Sequence, residues 1–182
     1  MSIISISETF PFKEWTPLND TIMGGMSDAS CSSTPDGLLV KGCLVEENGG
    51  FVSCRSRILF KPIDLSMYEG IQIEIDAEGQ TLKFAVNCND SFLHASSLFF
   101  DRIRWVAEVK TKKSGTTRIN IPFHNFQPTF RSEPLSYNPK FRTDAINQLQ
   151  LLYSKFGMPG KQNNTFMPGP FRILLRSLNV YN

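Results

Sequence analysis

Gly70-Ile-Gln-Ile-Glu-Ile-Asp-Ala-Glu-Gly-Gln-Thr-Leu-Lys-Phe-Ala-Val86 is the stretch that decides the fold class. Ile71, Ile73 and Ile75 alternate with Gln72, Glu74 and Asp76, the period-two pattern of a strand with one buried face. Glu78-Gly79 reads as a turn, and Leu82, Phe84 and Val86 repeat the alternation, so the two runs are expected to form a hairpin.

The same period extends outward. Leu38 to Val45 and Phe51 to Ile58 read as strands around an Asn48-Gly49-Gly50 turn. Arg104 to Val109 and Arg118 to Ile121 flank Lys112-Lys-Ser-Gly115 and are expected to form another hairpin, and Phe171 to Val180 is the last strand. Thr143 to Ser154 mixes two periods: Ile146, Leu149 and Leu152 have helical spacing, whereas Leu149, Leu151 and Tyr153 alternate. A helical turn leading into a strand satisfies both. Many short strands and 15 Phe point to an all-β, two-sheet sandwich with at most one or two short helical turns. Large rings on alternate positions fill the space between stacked sheets.

At 182 residues, without a repeat or linker, the chain is expected to be one domain, 1–182. Residues 1–10 read as a loose N-terminal segment. Residues 154–169 read as a long loop with Gly, Pro and Met, either mobile or functional. The hydrophobic fraction of 41% supports a core, and no apolar run is long enough for a transmembrane helix. A net charge of +2 predicts no strong nucleic-acid affinity. Its distribution is uneven, because residues 1–50 carry seven acids against two Lys. The first eight residues lack the features of a signal peptide, so a cytosol-like compartment without secretion is expected. The triplets at Asn19, Asn89 and Asn163 then read as chance glycosylation matches.

Chemistry is sparse. The histidines are His94 and His124, and neither sits near a nucleophile elbow. Cys31, Cys43, Cys54 and Cys88 have no zinc-ligand spacing and are expected to be thiols. Asn19-Asp20 and Glu46-Glu47-Asn48 carry calcium-type donors without EF-hand spacing. Met23-Gly24-Gly25-Met26 and Gly157-x-x-Gly160-Lys161 lack P-loop spacing. The basic stretch Lys110 to Arg118 reads as a solvated hairpin tip, and Glu74 and Asp76 as a polar strand face. No catalytic group, metal site or cofactor is therefore expected.

Two segments are more specific than composition explains. They are Trp15-Thr-Pro-Leu-Asn19-Asp20-Thr-Ile-Met23-Gly24-Gly25-Met-Ser27 and Glu47-Asn48-Gly49-Gly50-Phe51-Val-Ser53-Cys-Arg55. Asp64-Leu65-Ser66-x-Tyr68-Glu69-Gly70, Ile121-Pro122-Phe123-x-x-Phe126, Thr129-Phe130-Arg131 and Gly169-Pro170-Phe171-Arg172 follow in order. Together they resemble the complex I intermediate-associated protein 30 family from about residue 10 to 180. Departures are Ala77-Glu78-Gly79, where the family often has Gly-Asp-Gly followed by an aromatic, Leu82 in place of that aromatic, and Ser132-Glu133 after Arg131.

The resemblance implies a galactose-binding-like β-sandwich, or jelly roll, and a non-enzymatic factor that helps to assemble membrane complexes. Its founding members assist respiratory complex I, and photosynthetic relatives are tied to thylakoid complexes. The implied partners are protein subunits of a respiratory or photosynthetic complex, met in a bacterial cytoplasm or plastid stroma, with peripheral association at a membrane. The alternative is a carbohydrate-binding module, with Trp15, Trp105 or Tyr137 as the aromatic platform and a sugar as ligand.

The motif residues Trp15, Asn19, Asp20, Met23, Gly24, Gly25, Asn48, Gly49, Gly50, Phe51, Arg55 and Arg131 are the candidate site, as either an internal clasp or a partner surface. Glycines permit tight backbone approach, and Asn and Asp hydrogen-bond turn backbone. Trp15, Met23 and Phe51 are expected to close one end of the sandwich. Arg55 and Arg131 are expected to pair with a carboxylate such as Asp20, or to offer a bidentate fork.

Overall fold

The computed structural model describes residues 2–89, 103–130 and 133–182. The described residues form β1 (Ile3–Ser5), β2 (Thr16–Asn19), β3 (Asp28–Thr34), β4 (Gly37–Leu44), β5 (Phe51–Arg55), β6 (Gly70–Asp76), β7 (Thr81–Cys88), β8 (Arg104–Lys110), β9 (Thr117–Pro122), β10 (Gln127–Phe130), β11 (Glu133–Pro134), β12 (Ile146–Ser154) and β13 (Gly169–Tyr181). One antiparallel sheet runs β3-β4-β13-β6-β9, with β1 also on β13; the other runs β11-β10-β8-β7-β12-β5-β2. The all-β sandwich is as expected. Among the described residues the helical content is four 3-10 turns of three or four residues, more than the one or two short turns expected.

The core lies between the sheets, where Ile71, Ile73 and Ile75 of β6 share one cluster with Leu82, Phe84 and Val86 of β7. These runs are strands, but they are not a hairpin. β6 pairs with β13 and β9, whereas β7 pairs with β8 and β12. β8 and β9 separate in the same way, each pairing within a different sheet. The tight turn at 77–80 and the loop at 111–116 therefore carry the chain across the sandwich. Alternation records which face of a strand is buried. It reads the same for strands side by side and for strands face to face.

The 3-10 turn Thr143–Ala145 leads into β12, as the mixed period predicts. The helical spacing has its own cause. The β12–β7 ladder slips between Ile146 and Gln148, so Ile146 and Leu149 both enter the core despite their odd separation.

The first ten residues, expected to be loose, are fastened at two points. Ile3–Ser5 pairs with Asn179–Tyr181, and Phe10 is fully buried. The 154–169 loop is likewise pinned. Asn163 Nδ2 donates to Thr81 O at 2.9 Å and Ser154 O at 2.8 Å, and Thr165 Oγ1 accepts from Thr81 N at 2.8 Å. Met158 packs with Ala85, Val106 and Leu152 on the outer side of the second sheet. Asn163 thus has a structural task that its triplet does not reveal. Asn163→Ala should lower stability by about 2 kcal/mol and speed proteolysis within 155–168; an unchanged cleavage rate would show that the loop holds without it.

One expectation about cysteine is corrected. Cys31 and Cys54 form a disulfide, with Cα atoms 6.3 Å apart. Cys31 lies on β3 in one sheet and Cys54 on β5 in the other, so their meeting depends on how the sheets stack and not on spacing. Cys43 is an exposed thiol and Cys88 a buried one.

Candidate functional site

The motif residues converge on one carboxylate. Asn19 ends β2, and Asp20 begins a 3-10 turn that closes at Gly24, whose φ is 86°. Asp20 is fully buried. Its Oδ1 accepts from Ser27 N at 2.9 Å, and its Oδ2 accepts from Ser27 Oγ at 2.6 Å, Gly50 N at 2.7 Å and Phe51 N at 3.3 Å. Burial raises the Asp20 pKa, but the hydrogen bonds from Ser27, Gly50 and Phe51 outweigh it and hold the carboxyl below its usual range.

One glycine of each Gly-Gly pair follows from this anion. A Cβ at Gly25 or Gly49 would overlap the Asp20 carboxylate. Ser27 ties the second loop as well, donating its hydroxyl to Val45 O at 3.1 Å and accepting from Val45 N at 2.9 Å. The Glu46–Gly49 turn is thereby stapled along the 20–27 loop at both ends. All four groups on Asp20 are N–H or O–H donors, the surroundings of an anion and the wrong chemistry for a cation site. Among the described residues no cluster of His, Cys, Asp and Glu could hold a metal ion.

The other named residues fall in different places. Trp15 is buried and donates Nε1–H to Phe10 O at 3.1 Å, and Phe51 is half-buried. Met23 is not a plug for the sandwich end, because its side chain is 72% exposed. Asn48 adopts φ 56° at the exposed tip of its turn. Asn19 Nδ2 donates to Ala29 O at 3.3 Å. Arg55 stands in register with Thr16 and Gln150, on the outer face of the second sheet, while main-chain groups and Ser27 occupy Asp20. Arg131 lies outside the described residues. Ser27 closes the clasp although it stood outside the candidate set; its place at the end of the first motif was the available signal.

That outer face holds a polar network which single residues in sequence do not announce. Arg104 Nη1 donates to Gln150 Oε1 at 3.1 Å, Gln150 Nε2 to Ser53 Oγ at 2.9 Å, and Ser53 Oγ to Leu18 O at 2.8 Å. Burial lowers the Arg104 pKa, and neighbouring Arg55 adds to the effect. Lys83 Nζ donates to Gly157 O at 3.1 Å; burial, then repulsion from Arg104, pushes its pKa down to about 8. The unfolded chain holds this proton up to about pH 10.4, whereas the folded chain sheds it near 8. Stability should therefore rise between about pH 8 and 10.4 and be lower below that window. Lys83→Met should flatten the rise in urea titrations across that range; a slope kept in the variant would assign it to another group.

His124 is exposed on the 3-10 turn Phe123–Asn125, and His94 lies outside the described residues. Arg118 pairs with Glu74 at 2.7 Å, and Arg176 with Asp76 at 2.8 Å, so the two carboxylates belong to solvated ion pairs. Trp105 is buried and stacks on Phe141 at 4.4 Å, whereas Tyr137 is exposed.

The model of the family described as "Complex I intermediate-associated protein 30" matches residues 4–175. The chain belongs to this family. No curated protein matches the chain. Similar solved structures include the family 11 carbohydrate-binding module of a Clostridium thermocellum cellulosomal cellulase, at 14% identity and TM-score 0.64. That alignment covers 100% of this chain and 95% of the module. The same module in complex with a β-1,3-1,4-mixed-linked tetrasaccharide aligns at 15% identity and TM-score 0.63, over 99% and 95% of the two chains. An agarase aligns at 10% identity and TM-score 0.56, over 100% of this chain but 25% of its own. At such identities the likeness is one of fold, the two-sheet β-sandwich.

Proposed function

We propose that this chain is a non-enzymatic assembly or scaffold factor. It holds protein subunits of a membrane electron-transfer complex, NADH dehydrogenase-like or photosynthetic, during biogenesis. It acts as a peripheral protein on the cytosol-like side of the membrane. The family match across residues 4–175 carries this reading. The clasp supports it, because Asp20, Ser27 and the glycines of the two motifs are spent on shaping two loops.

The test is co-purification from gently solubilised membranes with a tagged chain. Subunits of such a complex are the expected result; recovery of the chain alone from its own host would overturn the reading. In the same host, His124→Ala should leave complementation at the wild-type level, and a loss of function there would point to catalysis instead.

The carbohydrate-binding alternative draws on the fold neighbours. Two of its three aromatic candidates, Trp15 and Trp105, are in the core, which leaves Tyr137. Retardation of the chain in a gel containing a mixed-linked β-glucan would favour this alternative.

A further inference from the structure

The Asp20 clasp buries its polar groups and turns apolar ones outward. Ile22 is 49% exposed, Met23 72% and Met26 61%, and a Cβ added at Gly24 would meet open space. Ordinary turns carry polar residues at such positions. The backbone beneath is tied by hydrogen bonds: Gly24 N donates to Thr21 O at 3.2 Å, Gly25 N to Asp20 O at 3.0 Å, and Ser27 N to Asp20 Oδ1 at 2.9 Å. An apolar tip held still from within loses little conformational freedom on binding. Methionine adapts to irregular apolar pockets.

The tip has an acidic border. Val45 and Gly50 are tied to Ser27 and Asp20, so the exposed Glu46 and Glu47 between them lie beside the tip, and exposed Asp28 follows Ser27 directly. Lys155 is a cation at this border, with Nζ donating to Glu46 O at 2.9 Å. Three carboxylates around an apolar knob would be repelled by the anionic surface of a membrane leaflet. They complement a protein pocket rimmed by Lys and Arg.

We infer that the Ile22-Met23-Met26 tip is the docking surface of this chain, and that it inserts into an apolar, basic-rimmed pocket of a partner protein. This rests on the assembly-factor reading and names its contact. Exposed apolar clusters on rigid supports carry most of the affinity at such contacts, while the rim sets association rate and salt dependence.

A photo-crosslinker in place of Met23, activated in the native host, tests the inference, with adducts identified by mass spectrometry. Two variants accompany it in co-purification: Ile22→Ser/Met23→Ser/Met26→Ser and Glu46→Lys/Glu47→Lys. The expected result is an adduct with a subunit of an electron-transfer complex. Recovery of that subunit should fall about tenfold or more in the first variant and become less salt-sensitive in the second, at an unchanged melting temperature. An adduct with an identified protein outside any such complex, whose co-purification falls in the first variant, would support the docking surface and overturn the assembly reading. Full recovery of the subunit by the first variant would overturn the docking surface and leave the assembly reading standing. Adducts with lipid, or with no protein at all, would overturn the inference.

Discussion

Asp20→Ala should lower the unfolding free energy by about 4 kcal/mol, the largest effect we expect from a single substitution in the clasp. The substitution leaves Ser27 N, Ser27 Oγ, Gly50 N and Phe51 N facing a void in a fully buried site. Each buried donor without a partner costs about 1–3 kcal/mol, and the bonds lost were to a charge. Ser27 still has Val45, which limits its share. Asp20→Asn keeps the shape but turns an NH2 group toward donors, so it should fall between the wild type and Ala.

The effect carries a pH signature. The folded pKa of Asp20 lies below its ordinary value of 3.8. A carboxyl with a depressed folded pKa gives stability that is present above the unfolded value. That stability is lost as pH falls through the folded one. Acid unfolding of the wild type should therefore steepen below about pH 3.9, and Asp20→Asn should remove that component. Urea midpoints between pH 2 and 7 check both statements. A loss under about 1 kcal/mol for Asp20→Ala would mean that water replaces the carboxylate and that the clasp is incidental to the fold.

Reduction of the Cys31–Cys54 disulfide should lower stability by about 3 kcal/mol. The two residues are 23 apart in sequence, and closing a loop of that size restricts the denatured chain by about this amount. The bond joins β3 to β5, next to the loops that Asp20 and Ser27 tie together, so both devices fasten the same corner of the sandwich. Unfolding midpoints with and without dithiothreitol should differ in the wild type and coincide in Cys31→Ser. Equal wild-type midpoints, with every cysteine alkylated before reduction, would show that the bond does not form. Alkylation in freshly lysed cells reads its state in the native compartment, because a reducing cytosol keeps most such pairs as thiols.

Much of the fold was legible because burial leaves a periodic mark. Ile71, Ile73 and Ile75, and then Leu82, Phe84 and Val86, display a one-faced strand whatever their neighbours are. The 143–154 stretch was legible for a subtler reason. A helical turn and a β-bulge both disturb the period of two, and the chain contains both. Strand partners were not legible. β6 and β7 lie face to face, and no local signal separates that from side-by-side pairing.

For the candidate site, the motifs named Asp20 and the glycines that meet around it, but not their arrangement. Gly25 and Gly49 lack side chains because the Asp20 carboxylate fills that space, and the Gly49 contact joins residues about 30 positions apart. Arg55 was expected to pair with a carboxylate such as Asp20 or to offer a bidentate fork; strand register places it across from Gln150, and the Asp20 oxygens are held by Ser27, Gly50 and Phe51. Met23 looked like an end plug from its composition alone, yet the closed turn points it outward.

By itself, then, the sequence determined the class of fold, eight of the 13 described strands and the motif that marks the family, since each depends on local pattern. Tertiary structure decided which strands share a sheet, that Cys31 meets Cys54, and that the clasp buries charge while exposing Ile22, Met23 and Met26. Those outcomes depend on long-range closure: two sheets settle against one core, and only then do distant groups come within bonding distance.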